Sequence, residues 1–203
     1  MSSLIIPYLI AITLLTITPG LDSTLIVRTA TIESRSKAFQ TALGINFGCM
    51  VWGFIVAVGI GSIILASDLA FMILKWLGAI YLAWLGLNML IKPRHSIEEP
   101  QKTIDQTNWF LRGFLGNLLN PKVGIFYITF LPQFIPSHAS VIYWMIGLVS
   151  IHIVLGITWS LFLIYMIDRI KPYFKKAIFI KYMNQLTGCV FMMFAVKLFL
   201  AKR

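Results

Sequence analysis

Residues 40–66, QTALGINFGCMVWGFIVAVGIGSIILA, contain no charged side chain and are predominantly apolar without strand-like alternation. At 1.5 Å per residue, such a run is longer than the ~30 Å of hydrocarbon in a bilayer, and it reads as a membrane-crossing helix. A helix satisfies its own backbone hydrogen bonds in lipid, whereas a barrel strand needs alternating faces and a closed sheet. Comparable stretches run over 4–26, 69–91, 113–135, 141–167 and 183–201. The expectation is an all-α integral membrane protein with six transmembrane helices.

Composition agrees. Of 203 residues, 59% are apolar and 12% charged, and the mean hydropathy is +0.86. Such a chain has too little polar surface to face water all round. The net charge of +10 does not indicate nucleic acid, because the basic residues lie between apolar runs and form no groove-reading motif. Cys49 and Cys189 each stand alone, in no CxxC arrangement, which gives no support for a disulfide framework or a structural metal site. The first apolar run passes through Thr18-Pro19-Gly20 with no basic residue before it and no small-residue cleavage signal. It is expected to be a retained helix rather than a signal peptide.

The basic residues set a direction. Arg28, Arg35 and Lys37 follow the first span; Lys92, Arg94, Lys102 and Arg112 follow the third; Arg169, Lys171, Lys175, Lys176 and Lys181 follow the fifth. The short connections around Ser67-Asp68 and Ser137-His138-Ala139-Ser140 hold none. The positive-inside rule then places these three loops in the cytoplasm and both termini outside, with Lys202 and Arg203 as a weak counter-signal. Trp76, Trp109, Tyr143, Trp144, Tyr173 and Tyr182 lie near the expected interfaces, where amphipathic rings anchor.

The chain is expected to form a single transmembrane domain over 1–203. A polar cytoplasmic connector, 92–112, separates a three-helix half at 1–91 from a second at 113–203. Three being odd, the second half enters from the opposite side, as in a 3+3 inverted-topology repeat. Leu77-Gly78 through Lys92 and Thr187-Gly188 through Lys202 align without gaps. Prolines mark the first span of each half: Pro19 in Thr18-Pro19-Gly20, then Pro121 after Asn120, and Pro132. Each removes a backbone donor, and paired broken helices in corresponding positions point to a transport site.

Two ionisable residues lie beside these breaks, Asp22 and Lys122. Charges inside a membrane span are costly and mark cavities, partners or proton routes. Both fall in the cytoplasmic half of their spans, which predicts one inward-facing cavity in which they pair. Asp22 would bind a substrate ammonium or exchange a proton. Thr13, Thr16, Thr18, Asn46, Asn117, Asn120 and Gln133 supply further hydrogen-bonding groups to substrate, backbone or neighbouring helices. Gly44-x-x-x-Gly48 has the spacing of a close helix contact.

Asn117-Leu118-Leu119-Asn120-Pro121-Lys122, continuing through Phe126 and Phe130 to Leu131-Pro132-Gln133-Phe134, resembles the NPK and LPQF signature of the lysine exporter and homoserine/threonine resistance family of bacterial amino-acid exporters. Thr18-Pro19-Gly20-Leu21-Asp22 is similar to that family's first-span motif, with Leu21 in place of its second proline. Leu77-Gly78-Ala79-Ile80-Tyr81-Leu82 with Leu85-Gly86, and Leu43-Gly44-Ile45 with Gly48, resemble its third and second helices. The resemblance implies a secondary active exporter of amino acids or close derivatives in the bacterial inner membrane. It would have no enzymatic activity and no cofactor, would work by alternating access, and would use protons as coupling ion. It favours Thr18, Pro19, Gly20, Asp22, Asn120, Pro121, Lys122 and Pro132 as motif positions. Partners are the bilayer and a small amino acid; a homo-oligomer is left open.

Two other classes compete. An intramembrane protease would pair a serine in a glycine-flanked turn with His152, yet no GxSG occurs. A structural or accessory membrane subunit has no need of broken helices bearing charges. No GxxxxGK[ST] is present, which leaves ATP-driven transport without its phosphate-binding loop in this chain.

Overall fold

A computed structural model of the chain describes residues 2–66, 68–91, 108–136, 139–174 and 176–200. All regular structure among these residues is helical. In chain order the elements are α1 (Ser2–Ile17), α2 (Leu21–Ile32), α3 (Arg35–Ala66), α4 (Asp68–Ile91), α5 (Trp109–Leu118), α6 (Pro121–Phe130), a 3-10 turn (Leu131–Phe134), α7 (Val141–Tyr165), α8 (Ile167–Phe174) and α9 (Ala177–Leu200). Most of the connector expected over 92–112, and the connections at 67 and 137–138, lie outside the described residues.

Both expected breaks are present. Pro19 has no backbone N–H and disfavours helical geometry at Thr18, so α1 stops at Ile17. Gly20 is extended, and its carbonyl accepts the Thr24 amide at 3.0 Å, which starts α2. The two helices meet at 44°. At the second break Asn120 is the N-cap of α6, its side-chain oxygen accepting the Lys122 amide at 3.1 Å. Pro121 follows at the first helical position, where a missing donor costs nothing. The 3-10 turn holds Pro132 and ends the same broken segment.

Among the described residues three helices are long and apolar enough to cross a membrane: Arg35–Gly59 within α3, Val141–Tyr165, and Ala177–Val196 within α9. The bent pair Ile5–Ile17 and Leu21–Ile32 makes a fourth if it counts as one span. Helix boundaries run past the apolar stretches at several ends. α3 begins at Arg35 rather than 40, and α5 at Trp109 rather than 113, because long basic side chains at helix ends reach polar surroundings without unwinding the helix. Phe54, Trp84, Ile146, Val154 and Phe199 remain largely exposed on the outer surface, as residues facing hydrocarbon do.

Close approach organises the bundle. A Cβ on Gly44 would collide with the Phe110 carbonyl, and one on Gly113 with the Thr41 carbonyl. Thus α3 and α5 touch backbone to backbone at two reciprocal points, and the Gly44-x-x-x-Gly48 spacing serves this contact. Farther along the same seam Gly48 leaves room for the side chain of Asn117, whose oxygen would lie 2.5 Å from an added Cβ. α4 and α9 cross in the same manner at Gly86 and Gly188, each glycine facing the other's carbonyl. A buried aromatic cluster from α6, the 3-10 turn and α9 fills the centre: Phe130 lies 4.5 Å from Phe126, 4.8 Å from Phe134 and 4.9 Å from Phe194, ring centre to ring centre.

Candidate functional site: a cavity at two helix breaks

The two breaks meet at a cavity of about 70 Å³. By the rule that a water needs ~10–15 Å³ of such space, it has room for about five waters or one small solute. Its walls come from the break between α1 and α2, the start of α6, and facing stretches of α3 and α7.

Asp22 lies in the first turn of α2 and is half-buried. Its carboxylate accepts the Asn117 side-chain amide at 2.8 Å and, on the other oxygen, the Asn120 amide at 3.4 Å. Asn120 therefore caps α6 with its oxygen while offering its nitrogen to Asp22. Lys122 lines the same cavity; its ammonium comes within 3.7 Å of where a Gly20 Cβ would sit, and its charge acts on the Asp22 carboxylate. A carboxylate and an ammonium thus share one cavity, a pair suited to the opposite charges of a zwitterion.

The residues singled out from sequence divide in two. Thr18, Gly20, Asp22, Asn46, Asn120 and Lys122 line the cavity. Asn117 stands just behind the wall, with no exposed surface, and bonds Asp22 and the Cys49 thiol. Pro19 is buried at the break without lining the cavity, and Pro121 opens α6. Pro132 and Gln133 do not join the group. They lie about 18 Å along the chain axis from Asn120, beyond the far end of α6, by the helical rise per residue. Pro132 is buried in the 3-10 turn, and Gln133 donates to the Thr129 carbonyl at 2.5 Å. Thr16 also lines the cavity, with its hydroxyl bonded to the Ile12 carbonyl at 2.7 Å, whereas Thr13 does not. The Thr18 hydroxyl meets that of Thr187, which ties the first break to α9.

Sequence reasoning did not place Ser23, His152, Trp159 and Ser160 in the wall, where the structure puts them. Trp159 reaches Ser23 through its indole N–H at 3.4 Å, linking α7 to α2. His152 carried a signal that could have found it, as the one histidine of an apolar span.

The family model described as LysE type translocator matches residues 13–202. An uncharacterized membrane protein of Bacillus subtilis, YrhP, is 30% identical over 95% of this chain and 97% of its own length. A leucine efflux protein of Klebsiella pneumoniae is 27% identical over 94% of this chain and 92% of its own. The threonine efflux protein of Escherichia coli is 35% identical over 54% of this chain and 55% of its own. No solved structure matches. With the match running through both helix breaks and nearly the whole chain, this membrane protein belongs to the LysE type translocator family.

Proposed function

We propose that the chain is a secondary exporter of amino acids or close derivatives across the bacterial inner membrane, and that the cavity between the two helix breaks is its substrate site. The observation that carries this is the placement of Asp22 and Lys122 in one cavity. In this reading Asp22 receives the substrate ammonium or, in its absence, a proton, and Lys122 receives the carboxylate. Relatives named for leucine and threonine efflux support an amino-acid substrate.

The working architecture is six crossings in two inverted halves, 1–91 and 113–203. The same interval separates Pro19 from Pro121 as separates Gly86 from Gly188, so one register relates the broken spans and the mutual crossing of α4 and α9, and it replaces the gapless alignment of Gly78 with Gly188, which is offset from it by eight residues. That is the relation expected of a two-fold axis in the membrane plane. Such a repeat is suited to alternating access, because rocking one half on the other moves the walls of a site built from both. A proton on Asp22 would bias the inward and outward populations only through different affinities in the two states.

The test is efflux from lipid vesicles preloaded with amino acids under an imposed proton gradient. Wild type is expected to release at least one amino acid in a gradient-dependent manner. Asp22→Asn keeps the size of the side chain and an oxygen for Asn117 and Asn120 while removing the charge, and is expected to lower the rate by at least about tenfold, the scale of an interaction with a buried charge. Efflux unaffected by this substitution would remove Asp22 from the mechanism.

A further inference from the structure

His152 lies near the middle of α7 and is 7% exposed. Its Nδ1 is 2.6 Å from the hydroxyl of Tyr127, which is itself fully buried. Tyr127 also lies beside the Cys49 thiol, Cys49 contacts the Asn117 amide at 3.5 Å, and Asn117 donates to Asp22. A line of polar groups from α7, α6, α3 and α5 thus fixes the imidazole relative to the carboxylate on α2. Nδ1 is engaged in that line. Nε2 has no hydrogen bond among the described residues and is not sealed within the protein, since the buried side-chain nitrogen without a partner there is the Trp52 indole. His152 forms part of the cavity wall, and Nε2 is the ring nitrogen that the bond to Tyr127 leaves available there. A well-buried ring held by a buried partner at the edge of solute-sized space is arranged as a ligand contact.

Its neighbours continue the polar surface. The Asn46 amide nitrogen is used on the Ala42 carbonyl at 2.8 Å, while its oxygen lies against Gly156, 2.5 Å from where a Cβ would be. The Ser160 hydroxyl donates to the Gly156 carbonyl at 2.6 Å and keeps its acceptor capacity.

We propose that His152 is a specificity-determining residue of this cavity, its Nε2 hydrogen-bonding the side chain of the transported amino acid, so that a small hydroxyl or amide side chain is favoured over an aliphatic one of the same shape. The inference rests on the export reading above and names the substrate feature read by that site. Either tautomer serves: with Tyr127 donating to Nδ1, Nε2 donates, and in the other form it accepts, while a hydroxyl can do both. An aliphatic isostere displaces water from Nε2 and offers nothing in return. Tyr127 acts through His152 and is a positioning residue.

Threonine and valine differ by a hydroxyl in place of a methyl, which makes them the probe pair. In vesicles containing the purified protein, wild type is expected to export threonine with kcat/KM at least about tenfold above that for valine. His152→Leu is expected to bring that ratio to within about threefold of one, mainly by raising KM for threonine, with a cooperative thermal unfolding transition in detergent as the sign of an intact fold. His152→Gln keeps a polar group and should retain part of the preference. Tyr127→Phe should lower the ratio without abolishing valine efflux, a selective change that a general loss of structure would not produce. A threonine-to-valine ratio unchanged in His152→Leu and Tyr127→Phe, or a wild type that prefers valine, overturns the proposal while leaving export in place. Absence of efflux of any amino acid by the wild type overturns the export reading itself.

Discussion

Asn117 has no exposed surface, and its amide nitrogen serves both the Asp22 carboxylate at 2.8 Å and the Cys49 sulfur at 3.5 Å. Replacing it with alanine would leave the carboxylate with the longer Asn120 bond at 3.4 Å and open a void beside Gly48. Losing one partner of a buried hydrogen bond costs about 1–3 kcal/mol, although membrane helices average nearer ~0.6 kcal/mol per such bond. Asn117→Ala is therefore expected to destabilise the protein by about 1–2 kcal/mol, read from thermal unfolding in detergent. Asn117→Asp keeps the size but places a second carboxylate against Asp22. It should impair efflux more than Asn117→Ala does, because like charges a hydrogen bond apart cannot both ionise without penalty.

The helices are organised by where they come closest. Gly44 and Gly113 each face a backbone carbonyl across the α3 and α5 contact, so a side chain at either position would force the helices apart. Gly59 lies farther along α3, and Gly147 is on α7; a Cβ at either meets nothing within 4 Å. Gly44→Leu is expected to lower the yield of folded protein and cost at least about 3 kcal/mol, because the clash is with backbone that cannot rotate away. Gly59→Leu and Gly147→Leu should fall within about 0.5 kcal/mol of wild type. Thermal unfolding of all three in the same detergent separates a close helix contact from a general intolerance of bulk. The same seam seats Asn117 behind Asp22.

Across the whole molecule, Arg35, Lys37 and Arg112 join separate loops in space. The Trp109 ring has Lys37 and Arg112 on it, each with its charge 5.2 Å from the ring centre. Arg35 reaches Asp168 at 3.4 Å. These contacts bring the turn between α2 and α3, the start of α5 and the segment after α7 to one end of the bundle, the end that the positive-inside rule would put in the cytoplasm. With Cys189→Ser to remove the exposed native thiol, Ala139→Cys is expected to react with an impermeant maleimide added to intact cells. Ser36→Cys and Lys176→Cys should react only after the membrane is opened. The reverse pattern would invert the orientation expected from the basic loops.

The all-helical membrane character and the two breaks were legible in the chain because they depend on local chemistry. Continuous apolar runs demand internally bonded helices, Pro19 interrupts one ladder, and Asn120-Pro121 starts another. Asp22 and Lys122 stand within a few residues of those breaks, so their meeting followed once the breaks did. Asn46 and Asn117 were found only as polar residues in spans, and the roles that separate them, one in the cavity wall and one behind it, come from packing. The cavity's remaining wall was not legible for a related reason. α7 is apolar nearly all round, which leaves no polar stripe to fix its rotation about its own axis. Only its packing on α2 and α3 turns His152, Trp159 and Ser160 inward. Pro132 and Gln133 went the other way: motif position suggested the site, but the length of α6 carries them into the opposite end of the core. The sequence by itself determined which segments are helical, where two of them break and which charges accompany the breaks, since these are decided within a few neighbouring residues. Which helix faces meet, and therefore which side chains share the cavity, was decided only by the tertiary structure, through glycine-sized contacts between residues far apart in the chain.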